Sequence, residues 1–427
     1  MPRISPQIGV AFSNWVNRGV AVLVQLATIP MLTRALGEQH FAAYVLAVSL
    51  ISWFALLDFG LGNALQNYVS EFKAIGRNVG GHAAFVLLVS FGIIAVGWGL
   101  VVMLSPVVAK ILFARIPSLE RQYGIAAITV AGFGFVCFSV GNIGTKVLYA
   151  LGRGAFANLL LIGTNLIVFA GIWFAVSYTP ENRKILAAIL AYSGPTGVIA
   201  LLVAARILWR LAKWSKEEIK HAGVELIKRA QGFWLLALLG ACIYNLDYFI
   251  MSQTLPPQEI AAYNILSRVF GAGASIYAGL LGATWPVWAE LAVEKKWLRL
   301  ASGLRIYLIL AIGAAFFLTV AMIFVLPALL PMLFRGEGIV LPLTSIILFG
   351  VYICLRAWMD TFAVALQSMN DIGILIKVAP MQAALSIAGQ SVFSLVFGLD
   401  GILLGLILSS LLTAAWILPR RFLSHLT

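Results

Sequence analysis

Five cationic side chains, Arg18, Lys146, Arg268, Arg356 and Lys377, fall inside stretches of sequence that are otherwise apolar enough to cross a membrane. An Arg or Lys at the centre of a bilayer costs roughly 2.5–3.5 kcal/mol on insertion scales, so it persists where it meets water, a counter-charge or an anionic ligand. Such cations mark these five as candidate substrate-binding residues of an anion carrier, and Arg suits bidentate contact with phosphate. Arg18 and Arg268 lie too deep in their spans to snorkel comfortably. Arg18 shares a helix face with Asn14, Asn17 and Gln25, and Arg268 follows Asn264 by one turn. A polar stripe on an apolar helix faces protein or water rather than lipid, which makes these four neighbours candidate cavity lining. Arg356 precedes Asp360 at i+4, a spacing at which an intrahelical ion pair could neutralise both. Lys146 and Lys377 lie near span ends, where a lysine reaches the interface. Asp247 is the deepest acid and has to be paired, protonated or cation-bound. Asp247 and Asp360 are therefore candidates for coupling to H+ or Na+, with pairing to a cavity cation as the alternative.

The elements that position these side chains are membrane helices. The chain has 427 residues, is 62% hydrophobic and has a mean hydropathy of +0.99. Apolar runs long enough to span the hydrocarbon layer recur from end to end, near 9–33, 41–66, 82–106, 123–150, 155–178, 185–209, 231–254, 259–289, 303–334, 341–366, 374–397 and 399–418. The expected fold is an all-α polytopic membrane protein of twelve transmembrane helices. Asn14, Asn17 and Arg18 in the first run, with no cleavage pattern after it, argue against a signal peptide. The net charge of +13 does not point to nucleic acid, because most cations flank spans. Their excess on one side, above all over 206–229 and 295–305, puts both termini in the cytoplasm by the positive-inside rule.

The polar stretch 210–230 follows six spans and precedes six, as a cytoplasmic amphipathic linker between lobes 1–209 and 231–427 would. The halves resemble each other. At an offset of 219, Leu36, Gln39, Ala42, Ala43 and Tyr44 meet Leu255, Gln258, Ala261, Ala262 and Tyr263, and Gly60, Leu61, Ala64 and Glu71 meet Gly279, Leu280, Ala283 and Glu290. Six spans per half give both halves one orientation: a parallel pseudo-twofold repeat of two six-helix lobes with a central cavity between them.

The stretch from Leu32 to Arg77 holds a Thr-Arg-Ala-Leu-Gly loop and then Asp58-Phe-Gly60-Leu-Gly62, and it resembles the N-terminal signature of bacterial polysaccharide transporters. Tyr149-Ala-Leu-Gly-Arg-Gly-Ala-Phe-Ala157 is similar to that family's Gly-Arg turn after the fourth span, whereas the second half has Met369-Asn-Asp-Ile372 in its place. The family includes the O-antigen flippases and stands with lipid II flippases and multidrug extrusion proteins. The resemblance implies an alternating-access flippase that moves an undecaprenyl-diphosphate-linked oligosaccharide from the cytoplasmic to the periplasmic leaflet of the inner membrane. It implies Asp58, Gly60, Gly62 and Glu71 as a structural motif. It also implies the glycan polymerase and glycosyltransferases of a lipopolysaccharide-type pathway as partners, beside membrane lipids.

Other classes fit less well. A multidrug or organic-cation exporter of the same fold would want buried acids, of which Asp247 and Asp360 are the candidates. A membrane-embedded glycan polymerase or ligase needs a large outer loop and catalytic residues, and no carboxylate pair or Ser/His/Asp set is visible, so no enzyme is expected. Cys137, Cys242 and Cys354 lie within spans without metal-ligand spacing, so neither a disulfide nor a metal site is expected. No cofactor is expected beyond coupling to an H+ or Na+ gradient or to the membrane potential, and a monomer is the expected state.

Overall fold

The computed structural model describes residues 6–74, 76–333, 341–369, 371 and 373–425, and every regular element among them is helical. In hydrocarbon a backbone N–H or C=O has no water partner, so an apolar chain closes its hydrogen bonds within each segment as helix. Nine helices among the described residues are long and apolar enough to cross a membrane. Helices such as Gly80–Leu112 and Gly154–Tyr178, at 33 and 25 residues, exceed the ~20 residues that span a bilayer core. Two of the nine hold a left-handed glycine where a connection was expected. Gly37 (φ 68°) interrupts α1 (Pro6–Ser49), and Gly398 (φ 57°) interrupts α13 (Gly373–Leu412).

Two compact units divide at Ala241 and Cys242. The first, residues 1–241, holds α1, the short α2 (Ile51–Phe54), a 3-10 turn Ala55–Asp58, α3 (Leu61–Ala74), α4 (Gly80–Leu112), α5 (Arg121–Ala150), α6 (Gly154–Tyr178), α7 (Lys184–Leu211) and most of α8 (Lys216–Tyr244). Its most extensive helix pair is α5 with α7. A stripe of small residues brings these backbones together: Gly134, Gly141 and Gly144 face Ser193, Ala200 and Ala204, and a Cβ on any of the three glycines would collide. Close approach of this kind supplies helix association in lipid, where burial of apolar surface contributes little.

The second span expected over 41–66 is broken. The helix gives way at 55–60, where Phe59 and Gly60 adopt positive φ (47° and 76°). Only glycine fits at 60, because a Cβ there would meet the Ala230 carbonyl and the Trp234 amide. Trp234 Nε1 donates to the Leu56 carbonyl at 3.1 Å, so α8 packs on this break. The stretch expected as a linker, 210–230, belongs to the first unit, and from Lys216 it runs without interruption into the next apolar segment. His82 of α4 meets Glu225 at 3.1 Å, Gly223 packs on the Phe85 ring, and Arg229 makes a two-point fork with Glu71 of α3 at 2.9 and 2.5 Å.

The second unit, residues 242–427, holds α9 (Asp247–Thr254), α10 (Pro257–Val293), α11 (Trp297–Leu333), α12 (Leu343–Ser368), α13 and α14 (Ala414–Leu423). One apolar core, including Trp288, Leu304, Phe362, Leu366, Leu418 and Phe422, ties α14 to α10, α11 and α12. The helix expected over 231–254 is also broken, at 245–246, and Asp247 opens the short helix that follows.

Candidate functional site

In the first unit the α1 polar stripe meets the Gly-Arg turn. Lys73 caps the end of α5 by donating to the Leu151 carbonyl at 3.1 Å, and left-handed Gly152 (φ 78°) leads into α6. This turn sets Tyr149 and Asn158 side by side, with the Tyr149 hydroxyl donating to Asn158 Oδ1. Asn158 is fully buried, and its Nδ2 donates to Ser13 Oγ on α1 at 2.9 Å. Arg18 lies within electrostatic reach of Tyr149. Asn14 and Asn17 are half-buried, and Asn17 Oδ1 is enclosed without a hydrogen-bond partner. Gln25, at the far end of the stripe, is exposed.

Lys146 is placed differently from Arg18. Its Nζ donates to Asp58 Oδ2 at 3.1 Å, with the two side chains 22% and 9% exposed, so its charge is met inside the first unit. Asp58 Oδ1 accepts the Gly60 amide at 2.9 Å. A Cβ at Gly62 would press on both Asp58 Oδ2 and the Lys146 stem, at 2.9 Å each. The four motif residues thus act in two clamps, Asp58 with Gly60 and Gly62 around Lys146, and Glu71 on Arg229.

In the second unit Asp247, Asn264, Arg268, Arg356 and Asp360 belong to one polar region. Asp247 is buried; its Oδ2 accepts the Tyr263 hydroxyl and its Oδ1 the Tyr248 amide at 2.8 Å. The Tyr248 hydroxyl accepts from Asn264 Nδ2 at 2.8 Å, and Asn264 Oδ1 accepts from Arg268 Nε at 2.9 Å. The Tyr263 ring packs on Phe349, and Phe349 packs on Tyr352. Arg356 lies within electrostatic reach of both Tyr352 and Asp247. Its Nε stands 3.7 Å from Asp360 Oδ2, each side chain about one-third exposed (35% and 37%). Arg356 and Asp360 line a cavity of about 470 Å³ between α10, α11 and α12, with Tyr277 on its wall and hydrogen-bonded to Thr361 at 2.5 Å. Lys377 is exposed on α13.

This arrangement offers guanidinium groups to an anion and, beside them, a buried carboxylate held by neutral donors. Sequence reasoning named Asp247 and Asn264 but not Tyr248, and it missed Asn158 entirely. No sequence signal marked Tyr248, because its Asn264 partner lies sixteen residues away on the next helix and is brought to it by packing.

No protein-family model matches the chain. It is 30% identical over 425 residues to the "Putative O-antigen transporter" of Salmonella typhi, covering 99% of this chain and 97% of that protein. It is 31% identical over 422 residues to the protein of the same name in Salmonella typhimurium, at the same coverages. To the "Putative O-antigen export protein" of Yersinia pseudotuberculosis it is 30% identical over 436 residues, again at 99% and 97%. Among solved structures, an inward-facing multidrug resistance MATE family transporter of the MOP superfamily superimposes with a TM-score of 0.76 at 13% identity, over 97% of this chain and 98% of that one. The lipid II flippase MurJ, in an inward closed conformation, superimposes with a TM-score of 0.72 at 13% identity, over 98% and 90%. The relatives are named for transport and export, so the chain stands among transporters, not enzymes. This all-α polytopic membrane protein has the fold of the MOP superfamily, and it belongs to the family of O-antigen transporters.

Proposed function

We propose that the protein is a flippase for a lipid-diphosphate-linked oligosaccharide, the O-antigen repeat unit or a close relative, moved from the cytoplasmic to the periplasmic leaflet of the inner membrane with both termini in the cytoplasm. The observation that carries this reading is full-length similarity, at 30–31% identity, to proteins named for O-antigen transport. The cations supply the chemistry. Arg18 and Arg268 sit deep in apolar helices among polar neighbours, and a guanidinium there favours a diphosphate over a neutral solute. Arg356, in its own cavity, is a further contact. Lys146 acts through Asp58 as a strut rather than a ligand. The lipid tail stays in the bilayer while the glycan occupies aqueous space. The glycan polymerase and the glycosyltransferases that build the repeat unit are its pathway partners.

A carrier of an anion needs a step that resets it. Asp247 supports coupling to H+ or Na+, because burying an ionised carboxylate without a cation is costly. A binding event at one such site biases two conformations by its differential affinity for them. Export of organic cations is the less supported reading, since the multidrug transporters share the fold at 13% identity and the curated relatives are named for O-antigen.

The test is complementation. Cells whose own O-antigen transporter is deleted should regain long-chain surface O-antigen when this gene is expressed together with the matching glycan pathway. Absence of surface glycan with normal membrane insertion of the protein would refute the reading.

A further inference from the structure

The offset of 219 that relates the halves also carries His40 onto Glu259 and Glu181 onto Asp400. Within each unit these positions border a pocket. In the second unit Glu259, Ser345 and Asp400 border a space of about 650 Å³. Its carboxylates are committed to the fold. Glu259 Oε2 accepts the Leu399 amide at 2.6 Å beside left-handed Gly398, and Asp400 accepts the hydroxyls of Thr344 and Ser345 at 2.6 and 2.5 Å.

The first unit uses the equivalent positions differently. There His40, Ser118, Glu120, Tyr123, Glu181 and Asn182 border a space of about 170 Å³ that opens to solvent. Among the described residues, the side chains of His40, Ser118, Tyr123 and Asn182 make no hydrogen bond or ion pair with the protein. Glu120 and Glu181 bond only along their own turns, to Gln122 at 3.1 Å and to Lys184. One repeat has locked its acids into a helix junction. The other keeps two carboxylates, an amide, a hydroxyl, an imidazole and a phenol around one open space.

We infer that this first-unit pocket is a sugar-binding subsite that takes one pyranose ring of a glycan. A carboxylate accepts from two neighbouring hydroxyls, and the Asn182 amide can both donate and accept. The Tyr123 ring offers an apolar face to the C–H side of the sugar. A divalent cation fits less well, because no group of three His, Cys, Asp or Glu among the described residues is arranged to hold a metal. The inference rests on the flippase reading for the source of the sugar, and it adds a contact to the glycan that is separate from the diphosphate-binding arginines.

The experiment is saturation-transfer difference NMR on the full-length protein in detergent, with free glucose, galactose, mannose, rhamnose and N-acetylglucosamine as probes. Signal is expected from at least one sugar, falling about fivefold in Asn182→Ala or Glu181→Gln, as loss of one or more hydrogen bonds predicts. Tyr123→Ala should remove it further, and Asn182, being exposed, keeps the test valid if that variant does not fold. Arg18→Ala should leave the sugar signal unchanged. No signal from any probe, or equal signal from wild type and both polar variants, overturns the inference. So does signal abolished by EDTA and restored by Mg2+ or Ca2+, which would make the pocket a cation site. A sugar signal that behaves as expected, in a protein that moves no lipid-linked glycan, would leave the subsite standing and remove the flippase reading alone.

Discussion

Lys146 and Asp58 lie 88 residues apart in sequence and meet as an ion pair at 3.1 Å, beside a glycine that has no room for a Cβ. Each charge supplies what the other needs, with the Asp58 side chain 9% exposed. Removing one partner leaves an uncompensated buried charge, whereas removing both can be close to neutral. Lys146→Met or Asp58→Asn should therefore each lower the thermal midpoint of the purified protein by roughly 3–6 °C, a loss of about 3 kcal/mol. The double variant should recover most of that. Additive losses in the double variant would show that the pair is not coupled.

The Glu71–Arg229 fork holds α8 against α3, and it gives a pH signature. The Arg229 hydrogen bonds hold the Glu71 carboxyl below the usual carboxylate range. A carboxylate with a lowered folded-state pKa contributes stability above its unfolded pKa and loses it as pH falls through the folded value. Thermal stability should decline in acid below about pH 4.5, with part of the decline absent in Glu71→Gln. Both side chains are partly exposed, so added salt should shrink the effect. An identical acid profile for wild type and Glu71→Gln would remove the fork from the account.

The sequence made the membrane helices legible because each is a continuous apolar run, and it marked two turns with glycines that are left-handed in the structure, Gly37 and Gly398. Asp58, Gly60 and Gly62 could be read as a structural motif from resemblance. Their partners could not, because Lys146 and Ala230 are brought to them by tertiary packing alone. The break at 245–246 carries neither proline nor glycine, so Asp247 read as a mid-helix acid. Between 216 and 244 there is no proline, and the stretch expected as an amphipathic linker runs on as one helix into the apolar segment after it.

The sidedness inferred from the basic residues is open to direct labelling. Ser215→Cys should be shielded from an impermeant thiol reagent in intact cells, while Asn182→Cys and Pro257→Cys should react. The three native cysteines are buried or half-buried and give a low background. Reaction at 215 from outside would invert the assigned topology.

Asp247 is the expected coupling residue. Asp247→Asn keeps a group that can still accept from Tyr263 but no longer carries charge or binds a proton. In proteoliposomes under an imposed pH or Na+ gradient, this variant should cycle more slowly than wild type while retaining substrate binding. Equal responses of both proteins to both gradients would leave Asp247 a structural partner of Tyr263.

The central claim is the proposal that Arg18 and Arg268 hold a diphosphate while its glycan crosses the membrane. It is tested most directly by reconstituting the protein and following a fluorescent undecaprenyl-diphosphate oligosaccharide from inner to outer leaflet. Wild type should transfer it. Arg18→Ala and Arg268→Ala should each reduce transfer at least tenfold, about 1.4 kcal/mol or more of lost anion contact, with folding intact. Lys at either position should rescue in part, since it restores charge without the two-point geometry. Undiminished transfer in the double Arg18→Ala/Arg268→Ala protein would contradict the account.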